Sequence, residues 1–286
     1  MEIGNALRLI EAGEARLELA GWRLTTAGGE DARAFLHDLL TADVATLEPG
    51  RSRRALLLSP TGRIRADVTV AGMAEGLLLV QAPDQPHGIA DLLTPYVLSA
   101  AVELTDRTRD LSVVAFPGGA PPAAEGSYSP SALGPGGDIV RPRGPAGGPL
   151  PGTEVPAAAV EAWRIIQGIA RFPRDLTDRS LPNEAGLEAR IDVDKGCFLG
   201  QEAVAKVRNL GHPTHAVLAV AAPRPIRPAE EVRAAGGAVG EITSAAGERQ
   251  AGIVRVRWDA RGAELTTASG VPLAVVGLAS GPAPSA

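Results

Sequence analysis

The chain has 286 residues, 45% hydrophobic and 21% charged, with a formal net charge of −5. That composition excludes a disordered chain and argues against a protein that neutralises many nucleic-acid phosphates. No apolar run approaches the roughly 18 residues of a membrane span, and no basic-then-apolar leader stands at the N-terminus, so a soluble cytoplasmic protein without a membrane partner is expected.

Aromatic residues make up only 3%, so the core must be built from Ala, Val, Leu and Ile. Residues 16–25 read as extended structure ending near Trp22 and Leu24. A helix follows, with Glu30 and Asp31 in its first turn, where carboxylates complement the positive end of the dipole, and with Phe35, Leu36, Leu39 and Leu40 on one face. Arg54 to Leu58 is a short apolar run typical of a buried strand, and Ser59-Pro60-Thr61-Gly62 is a turn. The next strand, Arg63 to Val70, alternates: Ile64, Ala66, Val68 and Val70 share one face, Arg65, Asp67 and Thr69 the other. Residues 76–82 give another strand, 91–98 a helix, and 101–104 and 111–116 two more strands. Strands interleaved with two helices suggest an α+β unit of ferredoxin-like character over residues 1–116.

From Pro117 to Pro156 the chain is rich in Pro, Gly and Ala, which reads as a linker or degenerate insertion with at most a short strand near Ile139-Val140. A helix over 157–169 carries Trp163, Ile165 and Ile166. Short β runs at 216–220, 239–242, 253–256 and 273–276, separated by Gly and Pro, place a small antiparallel barrel in residues 214–286.

The stretch Lys195-Gly196-Cys197-Phe198-Leu199-Gly200-Gln201-Glu202 concentrates the chemistry. Two glycines bracket the chain's one cysteine, so no internal disulfide can form, and one Cys with four scattered His (37, 87, 212 and 215) offers no metal-ligand cluster. Residues 201–208 are good helix formers, so the loop opens into a helix N-terminus. A thiol there, with the Lys195 ammonium two residues away, would have its thiolate favoured by both fields. The bland alternative is a small buried hydrophobe. Asp67 likewise has two readings, a reacting carboxylate or a partner of Arg65 on a solvated face. The runs Arg51–Arg54 and Arg171–Arg179 read as solvated faces.

The octapeptide KGCFLGQE matches in full the signature of the YgfZ family, folate-binding proteins related to the T-protein (aminomethyltransferase) of the glycine cleavage system. Arg164-Ile165-Ile166-Gln167-Gly168, Leu181-Pro182-Asn183-Glu184, Thr41-Ala42-Asp43-Val44 and Leu58-Ser59-Pro60-Thr61-Gly62-Arg63-Ile64 also resemble that family. The resemblance implies an aminomethyltransferase-like folate-binding fold, with residues 157–213 completing the folate-binding part and a C-terminal barrel. It implies tetrahydrofolate as ligand and a role in assembly or repair of iron–sulfur proteins, including tRNA-modifying enzymes. Cys197 and Asp67 correspond to the reacting residues. Asp67, Gln167, Glu184, Lys195, Gly196, Gly200, Gln201, Glu202 and Arg208 are the expected folate contacts, with Lys206 or Arg208 as the cation for the glutamate tail. Gln167 stands where T-proteins usually carry Glu, which implies either weaker pterin binding or the use of Glu184 or Glu202 instead. The alternative is a one-carbon transferase of the T-protein type, with Asp67 as its carboxylate.

Overall fold

The computed structural model describes residues 1–144 and 148–281, and the chain divides into two units. The first comprises Met1–Ser59, Arg65–Ala157 and Arg190–Leu199; the second comprises Pro60–Ile64, Ala158–Ala189 and Gly200–Ala286.

The first unit begins with α1 (Ile3–Glu11), which buries Ala6, Leu7 and Ile10 at helical spacing. β1 (Ala15–Glu18) and β2 (Arg23–Gly28) follow, then α2 (Ala32–Leu39), β3 (Ser52–Leu58), β4 (Ile64–Gly72) and β5 (Leu77–Gln81). α3 (Ile89–Leu93) continues into a 3-10 turn at 94–96, and β6 (Glu103–Asp106) and β7 (Leu111–Pro117) come next. One sheet has the order β3-β4-β5-β2-β6, and the pairs β4–β5, β5–β2 and β2–β6 are antiparallel. Strand alternation gives this sheet two different faces. Ala55, Leu57, Ala66, Val68, Leu77 and Leu79 pack against Leu36 of α2 and Leu93 of α3. Helices therefore cover one face, as an α+β layer requires.

The opposite face, with Leu24, Ala71, Leu78 and Val80, packs on Val113, Ala115 and Tyr128 of a second sheet. That sheet has the order β10-β1-β7-β9-β8, with β8 (Ser127–Tyr128), β9 (Gly136–Pro142) and β10 (Thr153–Glu154). Three strands thus lie inside residues 117–156, which corrects the expectation of a linker there. β9 pairs with β7 along its whole length, from Leu111↔Pro142 to Pro117↔Gly136. The glycines that imitate a linker in sequence allow close packing. A Cβ on Gly137 would stand 2.2 Å from the Pro121 ring and 2.9 Å from the Tyr128 carbonyl.

The second unit holds α4 (Ala157–Ile166, all but its first residue), 3-10 turns at 182–185 and 187–190 (the latter all but its last residue), and α5 (Gln201–Leu210). Its six remaining strands are β11 (His215–Ala221), β12 (Glu231–Ala234), β13 (Gly237–Ala245), β14 (Ala251–Arg257), β15 (Leu265–Thr267) and β16 (Pro272–Leu278). They close an antiparallel barrel in the order β11-β14-β13-β12-β15-β16 around Leu218, Val232, Ile242, Val254 and Leu273. Closure leaves no open sheet edge. Arg164 of α4, 5% exposed, donates to Asp175 Oδ2 at 2.7 Å and to Ser244 Oγ of β13 at 2.8 Å. Asp175 is fully buried and also accepts from the Thr243 and Ser244 hydroxyls at 2.6 Å. Every formal charge in this network is paired, which is the condition for keeping charges inside a protein. No helix among the described residues is long and apolar enough to cross a membrane.

Candidate functional site

β4 alternates, so Asp67 leaves the helix-covered face and points toward the second sheet's side of the first unit. Its backbone is fixed by one side chain: Gln85 Oε1 accepts from Asp67 N at 3.0 Å, and Gln85 Nε2 donates to Asp67 O at 2.6 Å. Its carboxylate is held by two arginines. Arg190 Nη1 donates to Oδ2 at 2.8 Å and Arg54 Nη2 to the same oxygen at 3.4 Å. No described residue donates to Oδ1. The Asp67 and Arg190 side chains are 11% and 7% exposed. Burial alone would push the Asp67 carboxyl up, but the Arg190 and Arg54 guanidiniums outweigh it and hold the carboxyl below the usual range. Asp67 is therefore an anion at neutral pH. Arg65, the partner in the second of the two readings, is exposed on the strand surface. Arg54 is not on a solvated face either: burial, with Arg190 beside it, pushes its guanidinium down to about 10 against the pull of Asp67.

Two further buried polar groups belong to the same unit. Asp138 of β9 is fully buried, and its Oδ2 accepts from Ala132 N at 2.8 Å. Burial pushes its carboxyl up to about 6, against the Ala132 N–H, the Ser131 and Tyr128 hydroxyls and Arg54. Tyr128 of β8 is 1% exposed, and burial together with Asp138 raises its hydroxyl well above its ordinary value. Two buried guanidinium nitrogens here have no hydrogen-bond partner: Arg54 Nε and Arg190 Nη2. Each such atom costs about 1–3 kcal/mol unless something occupies it.

The segment 190–199 is tied to the first unit at two places. Thr41 Oγ1 donates to Arg190 O at 2.8 Å, and Asp192 N donates to Thr41 O at 2.9 Å. Further on, His37 at the end of α2 and Lys195 hold each other reciprocally. His37 Nε2 lies 2.9 Å from Lys195 O, Lys195 Nζ donates to His37 O, and His37 Nδ1 lies 3.0 Å from Asp43 Oδ1. Lys195 Nζ also sits 5.5 Å from the centre of the Phe198 ring. Burial lowers the Lys195 ammonium, opposed by Asp38, Asp43 and Asp192 and, after them, by Cys197. The ammonium expected to serve the thiol is thus engaged by the α2 end and its carboxylates. Cys197 itself is exposed, which removes the small-buried-hydrophobe alternative. Gly196 and Gly200 adopt φ of 104° and 83°, the left-handed region that glycine enters without strain, and Gly200 caps the start of α5.

The remaining expected contacts belong to the second unit. Gln167 is exposed just after α4. Glu184 is 1% exposed; its Oε1 accepts from Leu181 N at 3.4 Å and its Oε2 lies 3.6 Å from Arg255 Nε. Arg255 Nη2 lies 2.9 Å from His215 Nδ1. Burial and then Arg255 lower the His215 imidazole. This geometry makes Glu184 an internal ion-pair partner. Along α5, Gln201 is half-buried, while Glu202, Lys206 and Arg208 are exposed. His212 stacks on Trp258 at 5.8 Å, and Arg261 lies 4.2 Å from the same ring. Among the described residues no group of three or more His, Cys, Asp or Glu side chains is arranged to hold a metal ion.

Sequence reasoning found Asp67 but missed Arg190, Gln85, Tyr128 and Asp138. Arg190 lies 123 residues from Asp67, a separation no local pattern can bridge.

Residues 19–125 match the family model for the GCVT N-terminal domain. A presumed transferase of Arabidopsis thaliana, described as chloroplastic, is 26% identical over 281 residues, covering 85% of this chain. The match spans 64% of that protein, less than two thirds of its length. Among solved structures, aminomethyltransferase T of the Bartonella henselae glycine cleavage system superposes with a TM-score of 0.75 at 17% identity. That superposition covers 95% of this chain and 88% of the other. The chain has the aminomethyltransferase T fold, completed by a closed six-stranded barrel.

Proposed function

We propose that the chain binds a reduced folate of the tetrahydrofolate class at Asp67, and that Cys197 adapts it to serve iron–sulfur proteins, those of tRNA-modifying enzymes included. The observation that supports the folate reading is the state of Asp67: ionised, fixed in its backbone by Gln85, and held through one oxygen only. The residues present fit such a ligand. Arg190 Nη2 is a buried donor without a partner, and Asp67 Oδ1 is an uncommitted acceptor beside it. Bound there, a tetrahydrofolate supplies secondary-amine nitrogens at which a one-carbon unit can be carried.

Asp67 accepts a hydrogen bond from such a nitrogen, or balances positive charge on it, and holds no proton to donate at neutral pH. Arg190 Nη2 donates to an oxygen of the ligand. Gln85 and the two arginines keep the carboxylate from turning, so the acceptor is in place before the ligand arrives.

The accessory role rests on the complete KGCFLGQE segment and the exposure of its thiol. A second reading, a folate-dependent one-carbon transferase, is favoured by the GCVT N-terminal domain match and the transferase description of the Arabidopsis relative. The two separate in one pair of assays. On the accessory reading, Cys197→Ala abolishes support of iron–sulfur enzyme activity in cells that depend on this chain, and the wild type forms no methylene-tetrahydrofolate from an aminomethyl donor. Unchanged support by Cys197→Ala removes the accessory reading. Turnover to methylene-tetrahydrofolate establishes the transferase.

A further inference from the structure

We propose that Gln81 is a positioning residue for Asp67: its own hydrogen bonds go to Gln85, His87 and Ile89, and it acts by fixing the Gln85 carboxamide that completes the sheet at the Asp67 backbone. This deepens the reading of Asp67 as the ligand-binding carboxylate and rests on it.

β4 and β5 pair antiparallel from Gly72↔Leu77 to Val68↔Gln81, and β5 ends there. The next pair along the ladder would be Asp67 with Ala82. In an antiparallel ladder a residue whose N–H and C=O point to the neighbouring strand exchanges both bonds with the residue opposite. At Asp67 the Gln85 carboxamide takes that place. Its Oε1 accepts from Asp67 N at 3.0 Å and its Nε2 donates to Asp67 O at 2.6 Å. A side chain thus stands in for a strand at the residue that carries the carboxylate. A strand is held by its own ladder, whereas a side chain is held only by what else it touches.

Gln85 is 3% exposed and Gln81 is fully buried. Gln81 Nε2 donates to Gln85 Oε1 at 3.1 Å and to His87 O at 3.0 Å, and Gln81 Oε1 accepts from Ile89 N at 2.9 Å. A backbone N–H only donates and a backbone carbonyl only accepts, so the Gln81 amide fits these partners one way round. That orientation presents its N–H to Gln85 Oε1 and leaves Gln85 Nε2 for the Asp67 carbonyl. The order of donors and acceptors therefore runs from the first residue of α3, through Gln81 and Gln85, to both backbone groups of Asp67. Arg23 of β2 also holds this loop, with Nη1 on Gln85 O and Nη2 on Pro83 O, both at 3.1 Å. Arg23 bears on the Gln85 backbone, so the carboxamide depends on Gln81. Without Gln81 the carboxamide keeps only Asp67 itself as a partner, and the two can shift together. The guanidinium contacts to Oδ2 remain, but the direction of Oδ1 is no longer set.

The test follows amide hydrogen exchange by NMR in the full chain without ligand, comparing wild type with Gln81→Met, which nearly keeps the volume and removes the Gln81 side-chain bonds. Asp67 N–H, whose partner is the Gln85 side chain, should exchange about tenfold or more faster. Thr69 N–H, in the β4–β5 ladder opposite Val80, should stay within about twofold of wild type, which separates positioning from a general loss of stability. An unchanged Asp67 N–H overturns the proposal, as does equal acceleration of Asp67 and Thr69. Gln81→Asn, whose amide is one methylene short, carries the same comparison if Gln81→Met does not fold. In a second arm, calorimetry with 5-formyltetrahydrofolate at pH 7.5 should show affinity falling several-fold in Gln81→Met and in Gln85→Met, with no further fall in the double variant. Wild-type affinity in Gln81→Met overturns the proposal, as does a double variant in which the two losses multiply. Faster exchange confined to Asp67, without any folate binding by the wild type, upholds the positioning and counts against the folate reading alone.

Discussion

Arg190 holds Asp67 at 2.8 Å with both side chains nearly buried, so removing it leaves the carboxylate with one long contact to Arg54. Breaking a buried pair from one side costs about 3–5 kcal/mol, and the surviving Arg54 places Arg190→Ala near the lower end. Urea unfolding at pH 7 measures it; a loss under about 1 kcal/mol contradicts this reading of the cluster. Asp138 gives a prediction with a definite sign. Its folded carboxyl titrates near 6, above the ~3.9 of an unfolded aspartate. The unfolded chain therefore releases its proton first, and this group's contribution to stability falls as pH rises from about 4 to about 6, then levels. Asp67 acts oppositely, because its lowered carboxyl contributes stability above the unfolded pKa that is lost as pH falls through the folded one. Asp138→Asn removes only the first effect, so its melting temperature should gain on the wild type by several degrees between pH 4.5 and 7. A constant difference across that range would show that Asp138 does not titrate as argued. Asp67 was legible from strand alternation alone. Its partners were not: pairing runs across the sheet to Arg54 and across 123 residues to Arg190, and sequence order shows only the neighbour Arg65.

The segment 190–199 is irregular, and its position depends on contacts rather than on a backbone ladder. The reciprocal hold between His37 and Lys195 should make it lose protection before the sheet does. His37→Ala is expected to speed amide hydrogen exchange across residues 191–199 while leaving β3 and β4 unchanged, at a global cost of about 1 kcal/mol. Exchange rates in 191–199 equal to wild type would mean that Thr41 and the Lys195 contact to the His37 carbonyl position the segment without the imidazole. Periodicity made α2, β4, α4 and the four longer barrel strands readable. α1 carries the same helical signal in Ala6, Leu7 and Ile10. β8 and β10 are two residues long, too short for alternation to register. β9 was obscured differently, because Gly136 and Gly137 lower strand propensity while fitting where a side chain would collide.

At the scale of the whole chain, each of the two units closes its own core, one between two five-stranded sheets and one inside a barrel. The barrel was readable because Gly and Pro punctuate β runs at regular spacing. The second sheet of the first unit was not, since half of it lies in the stretch that composition marks as a linker. That stretch supplies Tyr128 and Asp138, so two of the four buried polar residues missed in sequence lie in the misread part of the fold. The measurement that bears most directly on the central claim is calorimetry with tetrahydrofolate under reducing conditions at pH 7.5, comparing wild type with Asp67→Asn and Cys197→Ala. Saturable binding by the wild type, weakened about tenfold or more (roughly 1.4 kcal/mol) in Asp67→Asn and retained in Cys197→Ala, is the predicted result. No saturable binding by the wild type, or equal affinity in Asp67→Asn, would contradict it.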